Sequence, residues 1–179
     1  MLLDHNLPDF RDRAALVDRL APTIPVALAV RDYWISADPD SPHSKLAAWR
    51  AEPESPRDKD LYRYTGPGSL FLTVRPQATC IHTGGRWRGF LSIEPLRRVH
   101  LAAFRGIAEA FGASSMALYG DSWEVDDLFC GGQSQGTCIE LLERMWGPPQ
   151  RTIEEVDSKV AAAAERSAPR VWFWEGTLK

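Results

Sequence analysis

The sequence predicts an α+β domain: a small, mainly antiparallel sheet, built as a meander plus edge strands, with helices packed on one face. Three observations predict it. Leu70, Leu72 and Val74 alternate with Phe71, Thr73 and Arg75, the period of a half-buried strand. Between Pro95 and Phe111 apolar residues recur at helical spacing. The elements follow one another as helix, strand, meander, helix, strand, helices, strand, without the regular βαβ alternation of a parallel sheet.

Taken in order, residues 8–21 read as a helix opened by Pro8, with Phe10, Ala14, Val17 and Leu20 on one face and Pro22 and Pro25 beyond it. Residues 25–36 read as a strand because Val26-Ala27-Leu28-Ala29-Val30 is a continuous apolar run. Residues 37–66 are rich in proline and charge and read as a long loop, with one helical turn at Lys45 to Arg50. The meander is expected over 69–93. In it, Gly84-Gly85 forms a two-residue hairpin turn, and a strand follows with Trp87, Gly89, Leu91 and Ile93 on one face. In the helix from Pro95 to Phe111 the inner stripe is Leu96, Val99, His100, Ala103, Phe104, Ile107, Ala110 and Phe111, and Gly112 ends it. Residues 115–119 read as a buried strand. Helices are expected at Trp123 to Cys130 and at 134–146. A further helix opens on the capping box Thr152-Ile153-Glu154-Glu155, and a last strand covers Arg170 to Trp174. The whole of 1–179 reads as a single domain.

Composition narrows the function classes. With 179 residues, 44% hydrophobic and 25% charged, the chain has globular proportions. A net charge of −3 gives no bulk attraction to nucleic acid. No apolar run is long enough to span a bilayer, and the start Met1-Leu2-Leu3-Asp4-His5 has no signal-peptide pattern, so the expected location is the cytoplasm and no membrane partner is expected. Three cysteines at irregular spacing make no disulfide framework. Composition leaves the oligomeric state open.

Four groups of residues carry candidate chemistry. Gly120-Asp121-Ser122 resembles the serine-nucleophile block of the GDS-type (SGNH) esterases. That family places the block near its N-terminus and a histidine near its C-terminus, whereas His5, His43, His82 and His100 all precede Ser122 here. Helix capping by Asp121 or Ser122 is the favoured reading. His100 lies in the apolar stripe and reads as a hydrogen-bonded core histidine rather than a general base. Cys80 and His82 share a strand face, but they are two ligands where a structural zinc needs four; Cys130 and Cys138 would have to join them, and no metal site or cofactor is predicted. Charge is also uneven. Arg86, Arg88, Arg97, Arg98 and Arg105 cluster, with Trp87 and Phe90 interleaved, as a single-strand nucleic-acid platform would require. Asp121, Glu124, Asp126, Asp127, Glu140 and Glu143 form a stretch without a positive residue; it reads as a solvated helix face, a carboxylate metal site, or a docking surface for a basic partner with Trp123 as anchor.

Short blocks, Phe90-Leu91-Ser92-Ile93, Leu118-Tyr119-Gly120-Asp121-Ser122, Val125-Asp126-Asp127-Leu128 and Trp146-Gly147-Pro148-Pro149, resemble small bacterial proteins akin to the immunity proteins encoded beside polymorphic or contact-delivered toxins. The resemblance covers about the C-terminal half, and no family binding residue carries over from it. It implies a cytoplasmic protein that binds and neutralises one cognate toxin and needs no catalytic residues. The chain's own charge layout places the partner surface at Asp121, Trp123, Glu124, Asp126 and Asp127. The alternative is a small hydrolase or nucleotide-modifying enzyme using Asp121 and Ser122 with His82 or His100. A third possibility is a regulatory nucleic-acid-binding module on the arginine-rich region.

Overall fold

The computed structural model describes residues 1–38, 40, 46–53, 58–150, 152–166 and 170–176. Its strands are β1 (Leu2–Asp4), β2 (Arg50–Ala51), β3 (Tyr62–Gly66), β4 (Leu70–Val74), β5 (Ala78–Thr83), β6 (Ser115–Tyr119) and β7 (Trp172–Gly176). Among the described residues these form one antiparallel sheet in the order β2-β3-β4-β5-β1-β6-β7. The helices are α1 (Arg13–Leu20), α2 (Ile24–Ala37), α3 (Trp87–Ser92), α4 (Glu94–Phe111), α5 (Trp123–Cys130), α6 (Gln135–Trp146) and α7 (Ser158–Arg166). The α+β class and the antiparallel sheet stand as the sequence predicts.

Strand alternation sends side chains into two cores. Leu3, Leu70, Leu72, Val74, Ile81, Met116, Leu118 and Phe173 enter the larger one, beneath α1 to α4 and α7. Leu2, Cys80, Ala117, Tyr119 and Trp172 point the other way, into a smaller core closed by Val125, Phe129, Cys138 and Leu142 of α5 and α6. The sheet thus carries a second helical layer besides the expected one. The amphipathic α4 is the backbone of the first layer: Leu96, His100, Ala103, Phe104, Ile107 and Phe111 are buried as the stripe requires, joined by Leu101 and Ala108. Gly112 ends it in the left-handed region at φ 62°, the conformation glycine adopts without steric cost.

Several expected elements are different. The region 25–36 is the helix α2, not a strand. Pro25 sits in its first turn, and Ala27, Val30 and the half-buried Trp34 fall on one helical face, a spacing that the continuous apolar run conceals. Asp12, not Pro8, opens α1, its carboxylate accepting from the Ala15 amide at 3.0 Å. The meander is real but lies earlier, as β2 to β5, and 87–92 is the helix α3. Gly84-Gly85 makes no primed hairpin turn, because neither glycine has the positive φ such a turn needs. Trp87, Phe90 and Leu91 instead share a helix face, with Trp87 stacked on Phe90 at 5.0 Å. The tight connection of the meander is Pro67–Ser69, where Gly68 (φ 67°) and Ser69 (φ 55°) take positive φ. Tyr62–Gly66, expected as loop, is β3, and Arg50–Ala51 is β2 rather than the end of a helical turn; Lys45 lies outside the described residues. No helix opens at Thr152: α7 begins at Ser158, and Glu154 pairs with Arg105, which also binds Glu175 at 2.6 Å. The first strand, β1, has no counterpart in the sequence reading.

Arg75, just past β4, ties the sheet to α5. Its Nε donates to the Phe129 carbonyl at 2.9 Å, and one terminal nitrogen reaches the Cys130 carbonyl and the Asp58 carboxylate. A guanidinium on the last carbonyls of α5 adds to the Gly132 amide on the Phe129 carbonyl and complements the helix dipole. Replacing Arg75 with alanine is expected to cost about 2 kcal/mol, the scale of hydrogen bonds to a charged group. The check is urea denaturation, and Arg75→Lys should recover only part of the loss, because an ammonium cannot reproduce the fork. Among the described residues, no helix is long and apolar enough to cross a membrane.

Candidate functional site

The site residues converge where β5, the end of β6 and the start of α5 meet. Cys80 and His82 lie two residues apart on β5 and so share the face toward the smaller core. Tyr119 closes β6 on the same side. Ser122 then caps α5: its Oγ accepts from the Val125 amide at 3.4 Å and donates to Glu124 at 3.3 Å. This cap sets the first turn of α5 so that Asp126 turns inward to the sheet, while Asp121, Trp123, Glu124 and Asp127 stay exposed.

The inward group is a compact polar cluster. Tyr119 donates its hydroxyl to Asp126 Oδ1 at 3.1 Å. Cys80 Sγ lies 3.2 Å from His82 Nε2, 3.5 Å from the Tyr119 hydroxyl and 3.8 Å from Asp126 Oδ1. His82 Nδ1 is 3.9 Å from Asp126 Oδ2, and these two side chains are the open ones, 39% and 32% exposed. Burial pushes the Cys80 thiol up to about 12. Burial also lowers the His82 pKa, helped by the amino terminus and opposed by Asp126 and Asp121. At neutral pH the pair is therefore a thiol and a neutral imidazole, not a thiolate–imidazolium nucleophile.

Beside the cluster lies a cavity of about 90 Å³ lined by His82, Arg86, Trp87, His100, Asp121 and Asp126, among others. His100 is buried, and its Nδ1 donates to the Leu96 carbonyl at 2.9 Å, which fixes the tautomer because a carbonyl only accepts. Its ring also packs edge-on against Trp34, Phe90 and Phe104. Ligand pockets usually enclose several hundred Å³, and this one has room for about three waters.

The structure thus brings His82, His100, Asp121 and Asp126 to one cavity, but it turns Ser122 into the capping role. Cys138 is buried with Sγ toward the Val125 carbonyl, and Cys130 is exposed at the far end of α5; the group that joins Cys80 and His82 is Asp126. Sequence reasoning assigned Asp126 to the outer surface. The signal that places it inward is the serine cap: counting from Ser122, Val125 and Phe129 face the core and Asp126 stands beside them. On the arginine-rich region, Arg97 is buried on the Leu91 carbonyl, Arg88 reaches the Glu165 carbonyl and Arg105 holds two carboxylates. Arg86 and Arg98 remain exposed, while Trp87 and Phe90 stack on each other.

The outer face of α5 has the opposite character. Trp123 is 82% exposed, the most exposed large hydrophobic side chain among the described residues. Asp121, Glu124 and Asp127 surround it in sequence, and among the described residues none of the three makes an ion pair with a basic side chain. Comparison of the chain with protein-family models, with curated proteins and with solved structures gives no match.

Proposed function

We propose that the protein is a binding protein of the immunity type, which neutralises a cognate basic protein toxin by docking it on the outer face of α5. Trp123 is the anchor, Glu124 and Asp127 of the helix supply the complementary charge, and the exposed Asp121, just before the Ser122 cap and also lining the cavity, adds to it from the side. The observation that carries this reading is the exposure of Trp123 next in sequence to carboxylates that have no basic partner among the described residues. Tryptophan is among the residue types most enriched at interface hot spots. Unneutralised acids around it raise the encounter rate with a basic partner. Asp126 belongs beneath this surface rather than in it, holding α5 through Tyr119.

The test uses the intact chain as bait in the cell that produces it, followed by affinity measurement on the captured protein. Trp123→Ala is expected to weaken binding by about 30-fold or more, the hot-spot scale. Neutralising Asp121, Glu124 and Asp127 together should slow association and flatten its salt dependence. Affinity and association rate unchanged in both variants would remove this surface.

A second reading, a small hydrolase, draws on the shared cavity of His82, Asp121 and Asp126. Its expected nucleophile, Ser122, is spent as a cap, and the cavity is too small for a substrate of ordinary size. Hydrolysis of a small ester that is lost in Asp126→Asn and His82→Gln would favour it.

A further inference from the structure

The inward face of α5 holds a donor set that neither helix capping nor partner docking uses. Cys80, His82 and Asp126 each bring one donor atom within 4.8 Å of the other two. Bonds of about 2.0–2.3 Å to a tetrahedral zinc ion put its ligand atoms about 3.3–3.6 Å apart. The Cys80–His82 separation of 3.2 Å and the Cys80–Asp126 separation of 3.8 Å already bracket that spacing. Small rotations of the half-exposed His82 and Asp126 side chains would close the remainder, and the rigid partner, Cys80, needs none.

We propose that Cys80 Sγ, His82 and Asp126 form a three-ligand site for a zinc-class divalent cation, its fourth position facing the cavity. Thiol sulfur, imidazole and carboxylate together suit zinc better than magnesium or calcium, which take oxygen. Three protein ligands with one position open is the arrangement of zinc sites that keep a water. On binding, the Cys80 S–H bond breaks, the sulfur keeps the electron pair and binds the ion, and the proton leaves to solvent. The cation offsets the burial that otherwise keeps the thiol protonated. The Tyr119 hydroxyl, 3.1 Å from Asp126 Oδ1, is placed to orient the carboxylate from outside the ligand set. The three ligands come from β5 and α5, so the ion would also pin the helix to the sheet.

The experiment treats the full chain with a chelator, removes it, and titrates with Zn²⁺ by calorimetry and with Co²⁺ by absorption, without any protein partner. Its outcome is therefore independent of the docking reading. One ion per chain is expected, with cobalt giving a near-ultraviolet sulfur-to-metal charge-transfer band and the visible bands of a tetrahedral site. Cys80→Ser should abolish the charge-transfer band, and His82→Gln and Asp126→Asn should each weaken Zn²⁺ on the order of 100-fold, at or above the effect of losing an outer-shell partner. Cys130→Ser, at the exposed cysteine, should change nothing. If Cys80→Ser does not fold, the half-exposed His82 carries the test through His82→Gln. Absence of a sulfur–cobalt band in the unmodified chain, a band that survives Cys80→Ser, or zinc affinity unaltered in His82→Gln and Asp126→Asn would overturn the site and leave a hydrogen-bonded cluster.

Discussion

Phe129→Ala is expected to destabilise the protein by about 4 kcal/mol, the usual cost of truncating a fully buried phenylalanine. The smaller core is the reason. Phe129 is fully buried there, with Leu2, Ala117, Val125, Cys138, Leu142 and Trp172 in the same cluster. With so few side chains, the cavity left by the ring has little to collapse into it. Urea denaturation gives the magnitude, and hydrogen exchange gives the place. Amides of α5 should lose protection first, including the Asp126 and Gly131 amides bonded to Ser122 and Asp127. Those of α4 in the larger core should keep it until global unfolding. A loss below about 1 kcal/mol, well under the range for such truncations, would mean that α5 is not packed as described.

The second large effect is acid destabilisation through His5. This side chain follows β1, is buried, bonds Thr79 Oγ1 through Nε2 at 2.7 Å, and meets the Phe111 ring edge-on at 5.4 Å. Its Nδ1 is buried without a partner among the described residues, so an imidazolium there would carry an N–H with no acceptor. Burial lowers its pKa from 6.5 to about 4, with Arg19 adding slightly and Asp4 opposing. Above pH 6.5 neither state of the chain is protonated at this residue. Between pH 6.5 and 4 the unfolded chain binds the proton and the native one does not, so stability falls as pH falls. The integrated loss is about 3 kcal/mol by pH 4. His82, lowered in the same direction, adds to it. His5→Gln should therefore be less stable than the parent at pH 7 and converge on it toward pH 4.5. Parallel urea curves at several pH values test this, and a parent curve that tracks the variant at constant separation would refute it.

Elements whose pattern is long enough to be periodic were legible in the sequence. The stripe of α4 runs the length of the helix and ends on a glycine that takes positive φ, and α5 is capped by Ser122, one of the two residues expected there; the Ser134 cap of α6 is an addition from the structure. The region of α2 reads as a strand because Val26 to Val30 is apolar without a break, which suits a buried strand or a buried helix equally; Trp34, one helical turn further on, distinguishes them. Strand β1 has three residues, too few to show any period. Of the candidate site, the exposed acids and the Ser122 cap were readable. The convergence of Cys80 with Asp126 was not, since they are far apart in the chain and only the packing of α5 on β5 joins them.

That short β1 has a consequence for assembly. The strands β2 to β5 make one ladder and β6 with β7 another, and neither ladder pairs with the other directly. Leu2 is bonded in register to Cys80 on one side and to Ala117 on the other, so β1 is the seam between two half-sheets. The half made of β3, β4 and β5 can zip from near neighbours, whereas β6 meets β7 only across α5 to α7, and the β1 seam closes only after both loops of intervening chain are formed, the slow kind of contact in folding. Until then the half-built sheet shows two open strand edges, the geometry on which unwanted pairing between chains begins.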